Sequence, residues 1–180
     1  MLMTRNKVRT YQRRHSRFWR RWLTRWLIAR LRTKSEETRT YILQALGRIG
    51  DETAVPVILD AAKDASSTIR RFAVSALADL GDTQAIDALI VSLDDSEADI
   101  RAAAATALGL LGSRKAEDGL IALLSDAEPS VKAQSVIALG HLGSDKALSL
   151  LSQMMTTESS EWMRRYISQA VREIEGGCSK

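Results

Sequence analysis

Four glycines, Gly50, Gly81, Gly112 and Gly143, stand 31 residues apart, and the residues around them repeat with them. The ten residues ending at each glycine read YILQALGRIG, FAVSALADLG, AAATALGLLG and QSVIALGHLG, which places an Ala-Leu pair at 45/46, 76/77, 107/108 and 138/139. A fixed period of this size marks an array in which each unit buries its apolar face only against its neighbours. A 31-residue unit has room for two short antiparallel helices and their turns.

The third unit shows the expected layout. After Gly81, Asp82 or Thr83 caps a first helix in which Ala85, Ile86, Leu89, Ile90 and Leu93 recur at helical spacing. A polar turn, Asp94-Asp95-Ser96-Glu97, leads into a second helix through Ile100, Ala104, Ala107, Leu108 and Leu111. Gly112 ends it, because glycine takes the left-handed backbone of a helix C-cap without a Cβ penalty. In the next unit Pro129 falls at the start of the second helix, where its missing N–H is not needed. No segment alternates polar and apolar residues with period two. The expectation is an all-α chain, a right-handed α-solenoid of about five stacked helical hairpins over residues 36–175. Alanine in the interior columns suits helices that pair closely along a continuous seam.

The pattern V/I-R-x-x-A-x-x-A-L-G-x-L-G, followed by an acidic or small residue, resembles the HEAT repeats of the phycobilin-lyase-like class. Ile100-Arg101 to Gly112 carries it most fully. The resemblance covers residues 36–175 and implies the solenoid fold, with the second helices lining its concave side. Its functional implications are broad, since such repeats occur in bilin lyases, phycobilisome-degradation factors, assembly factors and scaffolds.

An acid precedes a base by six residues in four units: Asp64/Arg70, Asp95/Arg101, Asp126/Lys132 and Glu158/Arg164. The acid falls in the turn and the base in the first turn of the second helix, close enough to pair or to bond turn backbone. A catalytic pair occurs once, whereas a pair in successive units reads as a structural ladder. Other signs of catalysis are lacking. His15 and His141 have no Cys or carboxylate at metal-ligand spacing, and Gly47, Gly109 and Gly140 belong to the repeat, not to a phosphate loop. The single cysteine, Cys178, lies in a Gly-Gly-Cys-Ser tail and leaves no internal disulfide, which suits a reducing, cytoplasmic compartment. No catalytic residue, metal, cofactor or small-molecule substrate is expected.

The repeats do offer a surface. Columns 41/72/103/134, 44/75/106/137 and 48/79/110/141 lie outside the core pattern, three and four residues apart on one face of the second helices. A one-residue insertion brings in Tyr166, Gln169 and Glu173. This face is apolar for one turned to solvent, and Tyr41, Phe72, Thr106, Leu110, Ile137, His141 and Tyr166 are its candidate anchors for a protein segment. Packing of some of them under the next unit is the competing reading.

Charge divides the chain. Residues 1–34 hold 12 of the 26 Lys and Arg and no acid, so the remaining 14 bases face all 22 acids. A basic arm precedes an acidic array. Residues 1–12 read as a disordered basic tail, 13–34 as a basic tryptophan-rich amphipathic helix that caps the array, and 176–180 as a disordered tail. Phe18, Trp19, Trp22, Leu23, Trp26 and Leu27 gather on one side of that helix. Arg13, Arg14, Arg17, Arg20, Arg21 and Arg25 supply its charge. A shift of one period aligns Leu27 with Ile58, Leu89 and Leu120, and Leu23 with Ala54, Ala85 and Ala116, so these leucines should be buried on the helix at 36–49 while Trp22 stays exposed. No stretch is apolar enough to span a membrane. The arginine-rich start is similar to an organelle transit sequence, against which stand its tryptophans and its repeat register.

The function expected is a non-catalytic adaptor, scaffold or assembly factor. Its concave face binds a partner protein, and its basic helix docks on an acidic subunit or a membrane surface. Nucleic-acid binding through the arm and a bilin-lyase-like or phycobilisome-associated role are the alternatives.

Overall fold

The computed structural model describes residues 5–31 and 35–177, with side chains from residue 18 to 31 and from 35 to 176. Among these residues every element is helical. The long helix α1 (Arg5–Leu31) is followed by α2 (Glu36–Ile49), α3 (Val55–Ala61), α4 (Ser67–Leu80), α5 (Ile86–Val91), α6 (Ala98–Leu111), α7 (Glu117–Ala122), α8 (Pro129–Leu142), α9 (Asp145–Thr157) and α10 (Glu161–Gly177). The second helices α2, α4, α6, α8 and α10 stack side by side, each on the next, and form the backbone of an α-solenoid. The first helices cover one side of that stack.

Each second helix from α2 to α8 is 14 residues long and stops at the repeated glycine. Gly50, Gly81, Gly112 and Gly143 have φ between 60° and 64°, and they are the positive-φ residues of the described chain. The first helices of the middle units are shorter than the apolar spacing predicts. Asp82 accepts from the Gln84 amide and starts a 3-10 turn, Thr83–Ala85. Then α5 supplies six residues, and a second 3-10 turn, Ser92–Asp94, closes the unit. Ala85, Leu89 and Leu93 stay buried across these changes of pitch, so the apolar face is continuous although the helix type is not.

Close stacking follows from small residues. A Cβ added to Gly109 would lie 2.8 Å from the Ala138 Cα of the next second helix, and one on Gly47 would lie 2.9 Å from the Ala76 Cα. Gly140 meets Ala170 in the same way, at 2.9 Å. Position 78 of this column is Ala78, so the α4–α6 pair has no glycine notch. Leu43, Leu77, Leu108 and Leu139 fill the seam behind these contacts and are fully buried. Burial of a leucine of this kind contributes about 1.5–3 kcal/mol.

The acid–base pairs form a ladder, but its ion pairs run between units. Arg70 reaches Asp95, with Nε to Oδ2 at 2.7 Å and Nη2 to Oδ1 at 2.9 Å, and Arg101 reaches Asp126 at the same two distances. Within its own unit the arginine bonds backbone: Arg101 Nη1 donates to the Asp95 carbonyl at 2.8 Å and to the Ser96 carbonyl at 3.1 Å. Six residues along the chain place the guanidinium over its own turn, and the stacking of units brings the next carboxylate within reach of its free edge. Arg39, which the six-residue spacing does not mark, holds Asp64 as the first rung. Among the described residues no ion pair joins Lys132 to Glu158, so the ladder ends at Asp126.

The arm departs from expectation in two respects. Helix α1 starts at Arg5, so a disordered tail through residue 12 is not what the structure draws; residues 5–17 lack glycine and proline and carry five arginines and a lysine, all compatible with a helix. Residues 1–4 and 178–180, Cys178 included, lie outside the described residues, and α10 runs on to Gly177. The second departure is Leu23, which is 38% exposed and not buried. Thr24, Leu27 and Leu31 are buried in its place, at spacings of three and four. Leu27 and Leu31 keep the repeat register, and the change is confined to the turn before them, where α1 is α-helical and the later units have a 3-10 turn ending at Ala54, Ala85 and Ala116. Leu27 and Leu31 join the core of the array.

Candidate docking surfaces

Two surfaces carry the residues singled out above. The first is the outward face of the second helices. Leu110 projects from α6 with 72% of its surface exposed, Tyr41 from α2 with 64%, and Tyr166 from α10 with 40%. Thr106 and His141 are exposed beside them, while Phe72 and Ile137 are half-buried. Phe72 packs against the core and carries the Arg71 guanidinium 4.7 Å above its ring, so less of it is offered to a partner than its column suggests. The polar members bond one another: Thr106 Oγ1 lies 2.9 Å from Gln134 Oε1, and Gln169 Nε2 donates to Glu173 Oε1 at 2.9 Å. The face is thus a shallow mixed strip with apolar ends. Its far end holds a residue that the column reading misses, Trp162, whose ring meets Tyr166 edge-on at 6.0 Å. The signal was available, since Trp162 precedes Tyr166 by one helical turn.

The second surface is α1. Phe18, Trp19, Trp22 and Trp26 are exposed, with Trp22 at 52% as the polar residues of its column, Thr53, Gln84, Lys115 and Lys146, predict. The rings meet at their edges, Phe18 to Trp19 at 6.2 Å and Trp19 to Trp22 at 5.9 Å. The Arg30 guanidinium covers Trp26 at 4.2 Å. Arg20 faces the other way. Its guanidinium donates to the carbonyls of Ile49 and Gly50, the C-terminal end of α2, where a cation meets the negative end of the helix dipole. Arg20 is therefore a structural clamp, and Arg21, Arg25 and Arg30 are exposed bases of the same segment. The side chains of Arg13, Arg14 and Arg17 lie outside those described. Between α1 and the turn at Thr53 runs an open groove of about 790 Å³ bordered by Phe18, Arg21, Trp22, Arg25 and Ile28.

Among the described residues no cluster of His, Cys, Asp and Glu could hold a metal ion, and no helix is long and apolar enough to cross a membrane. Asp51 is held below its ordinary range, against the effect of burial, by hydrogen bonds from Thr53 and the nearby Arg21 and Arg20 charges, and the other lowered carboxyls, Asp64, Asp95 and Asp126, belong to the ladder. Hydrogen bonds from Arg70 hold Asp95 below its ordinary range against the opposing effect of burial, and Arg101 does the same for Asp126. The same pairs raise both guanidinium groups further above theirs.

The profile of HEAT repeats matches residues 24–105 and again residues 86–172. Among solved structures the chain is similar to the complex of CpcE and CpcF of phycocyanin lyase from Nostoc sp. PCC7120, at 25% identity and a TM-score of 0.76. That match covers 85% of this chain and 65% of the neighbour, so the chain spans less than two thirds of the neighbour's length. A designed armadillo repeat protein in complex with the peptide (KR)4 matches at 20% identity and a TM-score of 0.68, over 82% of this chain and 80% of that one. An engineered protein matches at 18% identity and a TM-score of 0.61, over 84% and 78%. The search of curated proteins returned no match.

Proposed function

The chain belongs to the HEAT-repeat family, and from that premise we propose that it is a non-catalytic adaptor or assembly factor whose second-helix face holds a segment of a partner protein. The observation that carries this reading is Leu110, a large apolar side chain 72% exposed in the middle of the stack, on the same face as Tyr41 and Tyr166. A lone exposed leucine is ordinary, but apolar residues sharing one face over several units form the kind of strip that partners cover. Phe72 and Ile137 supply its half-buried floor, Thr106 and His141 its polar contacts. The likeness to a complex of two chains supports a protein partner. In the same reading α1 docks the array on an acidic subunit or a membrane surface, in a reducing cytoplasmic setting.

The test is recovery of a partner from native extract by the full chain and by Leu110→Asp and Tyr41→Asp, whose exposed positions leave the fold intact. Val91→Asp, 70% exposed on α5, is the control. Loss of one discrete partner with the first two variants and its retention with the control supports the reading. Undiminished recovery with both second-helix variants rejects it.

A second reading rests on the phycocyanin lyase neighbour and makes the chain a bilin-handling factor. Incubation with a free bilin decides it, because a bound tetrapyrrole changes its absorbance and an unbound one does not.

A further inference from the structure

We infer that α1 is an interfacial foot which seats the array on a bilayer containing anionic lipid. Trp19, Trp22 and Trp26 lie in the headgroup layer, and Arg21, Arg25 and Arg30 meet lipid phosphates. The inference rests on the docking role given to α1 above and decides its occupant.

The argument starts from how α1 is divided around its axis. At about 100° per residue, Thr24, Leu27 and Leu31 point one way, and all three are buried on the array. Roughly a quarter-turn or more from them the exposed residues Leu23, Trp19, Trp26, Trp22 and Phe18 form one continuous strip. Arg30 lies between Leu23 and the aromatic rings, and Arg25 and Arg21 border the rings on the other side. Cations along both borders of an aromatic strip are what an interfacial helix needs, because the rings enter the headgroup region while the arginines extend to phosphates. Tryptophan is the residue enriched at that depth.

Charge selects the kind of surface. Residues 1–34 contain 12 bases and no acid, whereas the rest of the chain has 22 acids against 14 bases. An anionic bilayer attracts the first and repels the second, so the array stands off the membrane on α1 and does not lie flat upon it. The second-helix face is thereby left open to a partner.

Ring geometry separates a bilayer from a nucleic acid. Base stacking needs an open ring face, and Trp26 has a face covered by Arg30. A fluid headgroup layer makes no such demand. Nor does it need the matching groove that a folded protein partner must present to a single convex helix.

The experiment is co-sedimentation of the full chain with vesicles of phosphatidylcholine alone and of phosphatidylcholine with phosphatidylglycerol, read together with tryptophan emission. The expected result is recovery with the anionic vesicles only, accompanied by a blue shift. Arg21→Gln with Arg25→Gln weakens vesicle binding roughly thirtyfold, at about a kilocalorie per cation. Trp19→Ser with Trp22→Ser abolishes both recovery and blue shift. These side chains are exposed, so an unchanged thermal transition shows that the variants are folded. Leu110→Asp sediments as the unaltered chain does, which keeps this outcome distinct from failure of the partner face. The inference is overturned if the chain stays in the supernatant with anionic vesicles. It is also overturned if the tryptophan variant sediments undiminished, or if single-stranded RNA or an acidic protein competes the chain off the vesicles while binding it more tightly.

Discussion

Arg101 grips Asp126 of the following unit with two parallel hydrogen bonds, Nε to Oδ2 at 2.7 Å and Nη2 to Oδ1 at 2.9 Å, and with its remaining nitrogen holds the carbonyls of Asp95 and Ser96 in its own turn. One guanidinium thus fastens a turn to itself and to its neighbour. Asp126 in turn accepts from the Glu128 amide at 2.9 Å, which orients the start of α8. With side-chain exposures of 16% and 7%, the pair is shielded enough for its geometry to count.

Removing this clamp should loosen the stack between the third and fourth glycine units. Arg101→Ala is expected to cost about 2–3 kcal/mol, since charge-assisted bonds are lost and a largely buried carboxylate is left without its partner. Arg101→Lys should recover little, because an ammonium group cannot form the fork. Thermal unfolding of the two variants beside the unaltered chain measures both effects, and a full rescue by lysine would show that charge alone suffices.

Acid should weaken the array through the same carboxyls. Asp95 and Asp126 are held below the value of about 3.9 that they take in the unfolded chain. Their contribution is therefore complete above that value and is lost as pH falls through their lower folded values. Urea midpoints measured from neutral pH down to pH ~3 should drop steeply at the acid end. With Asp95→Asn and Asp126→Asn combined, the neutral-pH stability should be lower and the acid drop shallower.

Two glycines in α6 and at its end should respond differently to alanine. Gly109→Ala drives a Cβ into the Ala138 backbone at 2.8 Å and should cost about 1–3 kcal/mol by forcing α6 and α8 apart. Gly112→Ala meets no atom within 4 Å, and its cost should be about 1–2 kcal/mol, from the backbone alone, because φ is 63°. Gly109→Ala should change the spacing of the second helices, seen as altered proteolysis or hydrogen exchange in α6 and α8, whereas Gly112→Ala should disturb only the turn.

Thr24 is the one buried side chain of the described residues whose hydroxyl finds no hydrogen-bond partner. A buried polar group without a partner costs free energy that an apolar group of the same shape does not. Thr24→Val should therefore raise the melting temperature, with a gain of about 1 kcal/mol in stability. A fall in stability would mean that the hydroxyl is satisfied in solution.

The residues fall unequally between what is legible along the chain and what is not. Helical hairpins, their period, the αL glycines and Pro129 at the start of α8 follow from short-range chemistry, and each was readable from spacing alone. The exposure of Trp22 was readable too, because its column is polar in every later unit. The strip Tyr41–Leu110–Tyr166 was readable as positions on one helix face. The cover over Phe72 was not, since it comes from the rotamer of Arg71.

Contacts between units mark the limit. Six residues separate Asp95 from Arg101, but the partner that Arg101 binds is 25 residues further on, and only the rise from one hairpin to the next brings it there. Thr24 is buried where the column points to Leu23, because α1 is α-helical through a turn that is 3-10 in the later units. Arg20 became a clamp on Ile49 and Gly50 through the packing of α1 on α2. The periodic pattern determined the architecture of this protein, because each hairpin folds from neighbours in its own chain segment. Tertiary structure decided the pairing of the ladder, the contacts of α1 with α2 and which aromatic rings remain uncovered, because these depend on how one unit is set against the next.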